Sequence, residues 1–179
     1  MGFSIYNLKS GDTDLVDHLA PKEMIDRITK SGYEAIFAAE DETLTPCGLV
    51  IFNFERGRID IVWVNVFETY RFRGVGSMLM DQVFDLAIVS GFSQVGLRLT
   101  GELADPDNVD AATGFADYWG FTYGHYIKDS GGHLSYLFTA EAKPQNASEY
   151  NFKIVPMFGE DKPGKYRWLK TELYGDRSY

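Results

Sequence analysis

One cysteine, Cys47, stands among 179 residues, so no disulfide can form within the chain, and a reducing compartment is the simplest setting. Basic residues are scarce as well: 17 lysines and arginines face 26 aspartates and glutamates, a formal charge of −9. Nonspecific duplex binding needs clustered cations to neutralise phosphates, so nucleic acid is not an expected partner, and cationic or amine-bearing molecules are favoured instead. No apolar run approaches the length of a membrane span, and the N-terminus carries no basic-then-apolar leader pattern. A cytoplasmic protein with no membrane partner is the expectation. His18, His125 and His133 lack metal-ligand spacing, and no metal is expected. Internal repeats and low-complexity tracts are also missing.

What is present is apolar and aromatic material, 45% and 15% of the chain, enough to bury a substantial core in one α/β domain. Phe3 to Leu8 alternates as a strand would. A short helix around Leu15, Val16 and Leu19 is expected next, then a helix opened by Pro21 and ended by Gly32. Strands are expected over Tyr33–Ala39, Gly48–Phe54 and Ile59–Phe67, the last two joined by a hairpin turn. Leu79, Met80, Val83, Phe84, Ala87 and Ile88 recur at helical spacing from Ser77, with Asp81, Gln82 and Asp85 on the opposite face. Val95–Leu99 then reads as a strand parallel to its predecessor, because a helix crosses between them. A capped helix from Asn108 to Trp119 and strands over Phe121–Ile127 and Leu134–Thr139 follow. Beyond Ala140 the pattern weakens to a strand over Tyr150–Val155 and a short helix over Lys165–Tyr174.

The chemistry concentrates in one turn, Arg71-Phe72-Arg73-Gly74-Val75-Gly76, followed by Ser77. It lies between the longest β-prone run and an amphipathic helix. A helix opening presents N–H groups without intrahelical partners, two glycines let another group approach the backbone, and two arginines add positive charge. Such a turn holds an anion.

This R-x-x-G-x-G turn between strand and helix resembles the acetyl-CoA pyrophosphate motif of the GNAT N-acetyltransferases. Gly48 opening an apolar strand, and Asn108 through Gly120-Phe121, resemble two further features of that family. The resemblance covers Phe3 to about Thr139. It implies a GNAT fold, a mixed central sheet of six to seven strands flanked by helices, over residues 1–139, with 140–179 as a C-terminal extension. For that tail three roles are open: covering the acceptor groove, a homodimer contact, or packing on the sheet.

The resemblance also implies acetyl-CoA as co-substrate. Val64, Asn65 and Val66 would offer main-chain groups to the pantetheine, Arg71, Phe72, Arg73, Gly74, Val75, Gly76 and Ser77 would surround the pyrophosphate, and Asn108 belongs to the same cofactor-binding set. The expected activity is transfer of acetyl to a primary amine, on a small molecule or a protein, by direct attack in a ternary complex. Asp60 lies eleven residues before Arg71, the spacing at which histone-type members of the family carry a glutamate base. It is the candidate general base, acting through a water, with pairing to Arg58 as the plain alternative and Glu102 as the reserve. Where the family often has a tyrosine acid, this chain has Ala116, so the acid is unassigned. That absence keeps a second function open, a non-catalytic module that binds acyl-CoA or a protein.

Rival motifs each miss a required residue. Leu79 stands where a dinucleotide fingerprint needs its third glycine. Gly159 to Lys165 mimics a phosphate-binding loop, but Tyr166 replaces the required Ser or Thr. Asp105, Asp107 and Asp110 lack the central glycine and closing glutamate of a calcium loop.

Overall fold

The computed structural model describes residues 2–100, 116, 119–128 and 134–142. Seven strands appear among them: β1 Phe3–Asn7, β2 Glu34–Glu40, β3 Pro46–Glu55, β4 Arg58–Val66, β5 Gln94–Thr100, β6 Thr122–Lys128 and β7 Leu134–Glu141. Two α-helices join them, α1 Lys22–Ser31 and α2 Val75–Val89. The strands hydrogen-bond in the order β1-β2-β3-β4-β5-β7-β6. β1 runs antiparallel to β2, β7 is antiparallel to both β5 and β6, and β4 and β5 are parallel. The sheet is therefore mixed, and the parallel strands β4 and β5 are the pair that α2 crosses between, as the sequence order implied.

Two compact units divide the described residues. One takes in residues 2–51 and 64–82, the other 52–63 and 83–142, and β3, β4 and α2 contribute to both. In the first unit Phe3, Ile5, Ile36, Leu49, Val50, Ile51, Met78 and Leu79 are almost wholly buried. Burying each such side chain contributes about 1.5–3 kcal/mol. β3 meets α2 so closely that a Cβ on Gly48 would stand 2.8 Å from Leu79 Cδ1 and 2.9 Å from Val75 Cγ1. The third residue of β3, which packs against the start of α2, is therefore suited to glycine. In the second unit Phe84 stacks on Trp119, ring centroids 6.4 Å apart, and packs against Phe121 at 5.9 Å.

Three expectations are corrected. The first helical segment is a 3-10 stretch, Ser10–Val16, with non-helical angles at Asp12. α2 begins at Val75, two residues ahead of Ser77. Its supposed solvent face is buried too: Asp81, Gln82 and Asp85 are only 3%, 1% and 3% exposed. The composition of α2 gives the reason, since Val75–Val89 contains no lysine, arginine or glutamate, and a helix apolar nearly all round is an enclosed one. The helix beginning at Asn108 falls outside the described residues except for Ala116, which is helical and buried. The strand and helix expected after Ala140 lie outside them as well.

Candidate functional site

The turn expected to hold an anion is built from the first unit alone. β4 ends at Val66, a single 3-10 turn covers Glu68–Tyr70, and the chain reaches α2 through Arg71, Phe72, Arg73 and Gly74. Gly74 has φ 85°, a left-handed conformation that glycine adopts without strain. The first helical hydrogen bond of α2 runs from the Met78 N–H to the Gly74 carbonyl at 2.9 Å. The amides of Val75, Gly76 and Ser77 stand ahead of that ladder, at the positive end of the helix. A Cβ on Gly76 would meet only Val66 Cγ2, at 3.7 Å, so the space over this backbone is open. Arg71, Phe72, Arg73 and Gly74 are exposed, while Gly76 and Ser77 are half-buried. The residues thus fit a phosphorylated ligand: oriented amides, two guanidinium groups and room for oxygens to approach.

Arg71 is tied to the strand that precedes the turn. Its Nε donates to the Val66 carbonyl at 2.9 Å, and its Nη2 reaches Asn65 Oδ1 at 3.4 Å. Asn65 Nδ2 donates in turn to the Leu19 carbonyl at 3.1 Å. The Asn65 side chain therefore staples the segment before α1 to the end of β4 and to the turn. Asn65 thus works through its side chain as well as the main-chain role the family resemblance implies. The Phe67 N–H bonds the Cys47 carbonyl at 2.8 Å, which fixes where the strand leaves the sheet. The parallel register of β4 with β5 runs from Arg58 and Gln94 to Ile61 and Leu97 and ends there, although β4 continues to Val66.

Tyr70 and Glu40 were not foreseen. The Tyr70 hydroxyl donates to Glu40 Oε2 at 2.9 Å, the Phe3 ring meets Tyr70 edge-on, and the Arg73 guanidinium lies 5.5 Å from the Tyr70 ring centroid. A buried carboxylate at the end of β2 thus orients the aromatic face on which Arg73 rests. The bond to Glu40 raises the Tyr70 pKa above the ordinary phenol value. A glutamate directly after the apolar run Ala35–Ala39 was the available sequence signal. Cys47 lies in the same neighbourhood, fully buried, and burial first, with Glu40 adding to it, pushes its thiol up to about 12.

Asp60 sits in the second unit, near the start of β4, and only 1% of it is exposed. Arg58 Nε donates to Oδ1 at 2.5 Å and Arg58 Nη2 to Oδ2 at 3.2 Å, while Arg98 Nη2 donates to Oδ2 at 3.1 Å. That hydrogen bond holds the Arg58 guanidinium pKa above its ordinary value. Gly96, directly opposite in the parallel register, leaves space for the carboxylate, since a Cβ there would overlap Asp60 Oδ1. This geometry does not support the general-base role expected for Asp60. Both oxygens are engaged by guanidinium groups, and a base needs a lone pair open to the proton it removes. The plain alternative, pairing with Arg58, is what the structure contains, with Arg98 added. Asn108 and the reserve base Glu102 lie outside the described residues. Ala116, at the position where an acid was sought, is buried and carries none. Among the described residues no group of three or more His, Cys, Asp or Glu side chains could hold a metal ion.

Comparison with known proteins adds three observations. A model of the acetyltransferase (GNAT) family matches residues 4–121. A search of curated proteins found no match. Among solved structures, a GNAT-family acetyltransferase from Desulfovibrio desulfuricans is similar with a TM-score of 0.64, covering 79% of this chain and 100% of its own at 16% identity. A GNAT acetyltransferase from Elizabethkingia anophelis with acetyl-CoA bound gives 0.58, covering 78% and 98% at 18% identity. The ribosomal-protein-S18-alanine N-acetyltransferase of Escherichia coli gives 0.60, covering 80% and 97% at 13% identity. At such identities the likeness is one of fold.

Proposed function

We propose, from the premise that this chain belongs to the GNAT acetyltransferase family, that it transfers acetyl from acetyl-CoA to a primary amine by direct attack in a ternary complex. The observation that carries the proposal is the turn into α2, where the amides of Val75, Gly76 and Ser77 open the helix, the Gly76 backbone is open to approach, and the exposed Arg71 and Arg73 lie just ahead in the chain. Acetyl-CoA supplies an activated thioester, and the turn's work is to hold its pyrophosphate. Asn65 and the Arg71 bond to the Val66 carbonyl keep the end of β4 in place beside it. Tyr70, fixed by Glu40, sets Arg73.

Direct attack, rather than relay through a cysteine, is supported by the chain's thiol chemistry. Cys47 is its only cysteine, it is fully buried, and its thiol is pushed to about 12, so it is protonated and enclosed at neutral pH. A thiol in that state is not a nucleophile. The amine therefore forms its C–N bond as the C–S bond breaks, the amine gives up a proton, and the CoA thiolate takes one. Asp60 is proposed to anchor the sheet, and the proton acceptor is placed elsewhere. A net charge of −9 favours a cationic acceptor, and an amine protonated in solution, on a small molecule or a protein, fits it. A cytoplasmic setting suits both a reduced cysteine and this co-substrate.

The engagement of Asp60 and the alanine at position 116 also give substance to a second reading, an acyl-CoA-binding module without turnover. Both readings are separated by initial-rate measurements of CoA thiol release against a panel of primary amines. The expected result is amine-dependent release with intersecting double-reciprocal lines, an N-acetylated product, and an intact protein mass unchanged by acetyl-CoA alone. Tight acetyl-CoA binding with no amine-dependent release would leave only the binding module. A stable acetyl adduct on the protein would overturn direct attack.

A further inference from the structure

Phe72 is the most exposed large apolar side chain among the described residues, at 104% of its reference area, and its backbone has φ 65°. Both features are unfavourable for a phenylalanine. A bulky residue in the left-handed region is strained, and a free aromatic face in water gains nothing from packing. The backbone conformation suits glycine, as at Gly74 two residues on. Folding alone therefore gives no reason for an aromatic ring here.

The place of the ring supplies one. Phe72 stands between Arg71 and Arg73 and two residues ahead of Gly74, whose carbonyl accepts the first bond of α2. Two Cα steps of about 3.8 Å each separate it from the glycine that opens the cradle. In CoA the adenine is linked to the pyrophosphate through a single ribose, so a base leaving the cradle on this side comes within reach of the ring. Adenine offers a flat π face, and an exposed phenyl is a surface on which such a face stacks. We propose that Phe72 is the nucleobase platform of the CoA site, a specificity residue that distinguishes CoA from carriers lacking adenosine. The assignment rests on the turn being the pyrophosphate cradle. It adds a ligand contact made by a side chain, whereas the cradle relies on backbone and charge. Strain and exposure at position 72 are then offset when the base docks.

Calorimetric titration of wild type, Phe72→Ala and Phe72→Trp with three probes tests this: CoA, 3′-dephospho-CoA and 4′-phosphopantetheine. Dephospho-CoA keeps the base but lacks the 3′-phosphate, and phosphopantetheine lacks the nucleoside together with one phosphate of the pyrophosphate, so each variant is compared with wild type on the same probe. Phe72→Ala is expected to weaken CoA and dephospho-CoA about tenfold, the scale of one base–aromatic stack, while leaving phosphopantetheine unchanged. Phe72→Trp should restore both. Phe72→Gly should raise the thermal midpoint of the apo protein, by relieving strain, while weakening CoA as alanine does. Equal weakening of all three probes would assign Phe72 to shaping the turn and overturn the platform. Unchanged CoA affinity in Phe72→Ala would overturn it too, with the cradle intact. Failure of wild type to bind CoA at all would overturn the cradle and the platform together.

Discussion

Gly76→Asp protein is expected to fold normally and to bind acetyl-CoA about a hundredfold more weakly than wild type, the cost of losing roughly two charge-assisted hydrogen bonds. The two halves of that expectation have separate causes. A Cβ at position 76 has only Val66 Cγ2 within 4 Å, so the side chain is accommodated. A carboxylate in the first turn of α2 also complements the helix dipole, so the apo protein should keep or slightly raise its thermal midpoint. The same carboxylate occupies the position where phosphate oxygens are proposed to sit, and it repels them. Gly76→Ala is the steric control and should lose far less affinity. Calorimetry with acetyl-CoA, paired with thermal unfolding of the apo protein, reads both halves. Retained affinity in Gly76→Asp would place the pyrophosphate elsewhere.

The largest effect on stability is expected at Asp60. Replacing it with alanine leaves Arg58 and Arg98 side by side, 25% and 23% exposed, without the carboxylate between them. Removing one partner of a buried ion pair typically costs about 3–5 kcal/mol, and a value in that range is expected from urea unfolding. Gly96→Ala should cost about 1–3 kcal/mol, because the new methyl overlaps a carboxylate that two arginines hold in position. The diagnostic quantity is the coupling between the two sites. In an Asp60→Ala background Gly96→Ala has no carboxylate to displace, so its cost should fall markedly. Simple additivity would mean that the Asp60–Gly96 contact is not what makes position 96 a glycine. Asp60→Asn, assayed where it remains folded, should retain turnover. A collapse of kcat with stability preserved would return Asp60 to the role of base.

Much of the cradle was legible because a turn and its helix are local. Arg71, Gly74, Gly76 and Ser77 are consecutive or nearly so, and both the glycine conformation and the helix opening follow from short-range geometry. The strand order around them could also be followed, since the parallel pair β4 and β5 is required by the intervening helix. What escaped were the side-chain contacts made over long sequence separation. Asn65 reaching Leu19, Glu40 reaching Tyr70 and Arg98 reaching Asp60 span 46, 30 and 38 residues. Asp60 shows the difficulty best. Spacing from Arg71 suggested a base, but whether a carboxylate is open or clasped depends on Arg98, a residue on the neighbouring strand that spacing does not see. α2 misled for another reason. Its polar residues fall on one face, and periodicity reads such a face as solvent-exposed, although the helix has too few charges to hold a side in water.

The central claim, that acetyl-CoA is held by the turn from β4 into α2, is tested most directly by amide hydrogen exchange of the wild-type protein with and without acetyl-CoA. The account expects new protection at the amides of Val75, Gly76 and Ser77, with smaller gains across Val64–Val66. Saturating acetyl-CoA that leaves those amides exchanging as in the apo protein, while protecting another segment, would contradict it.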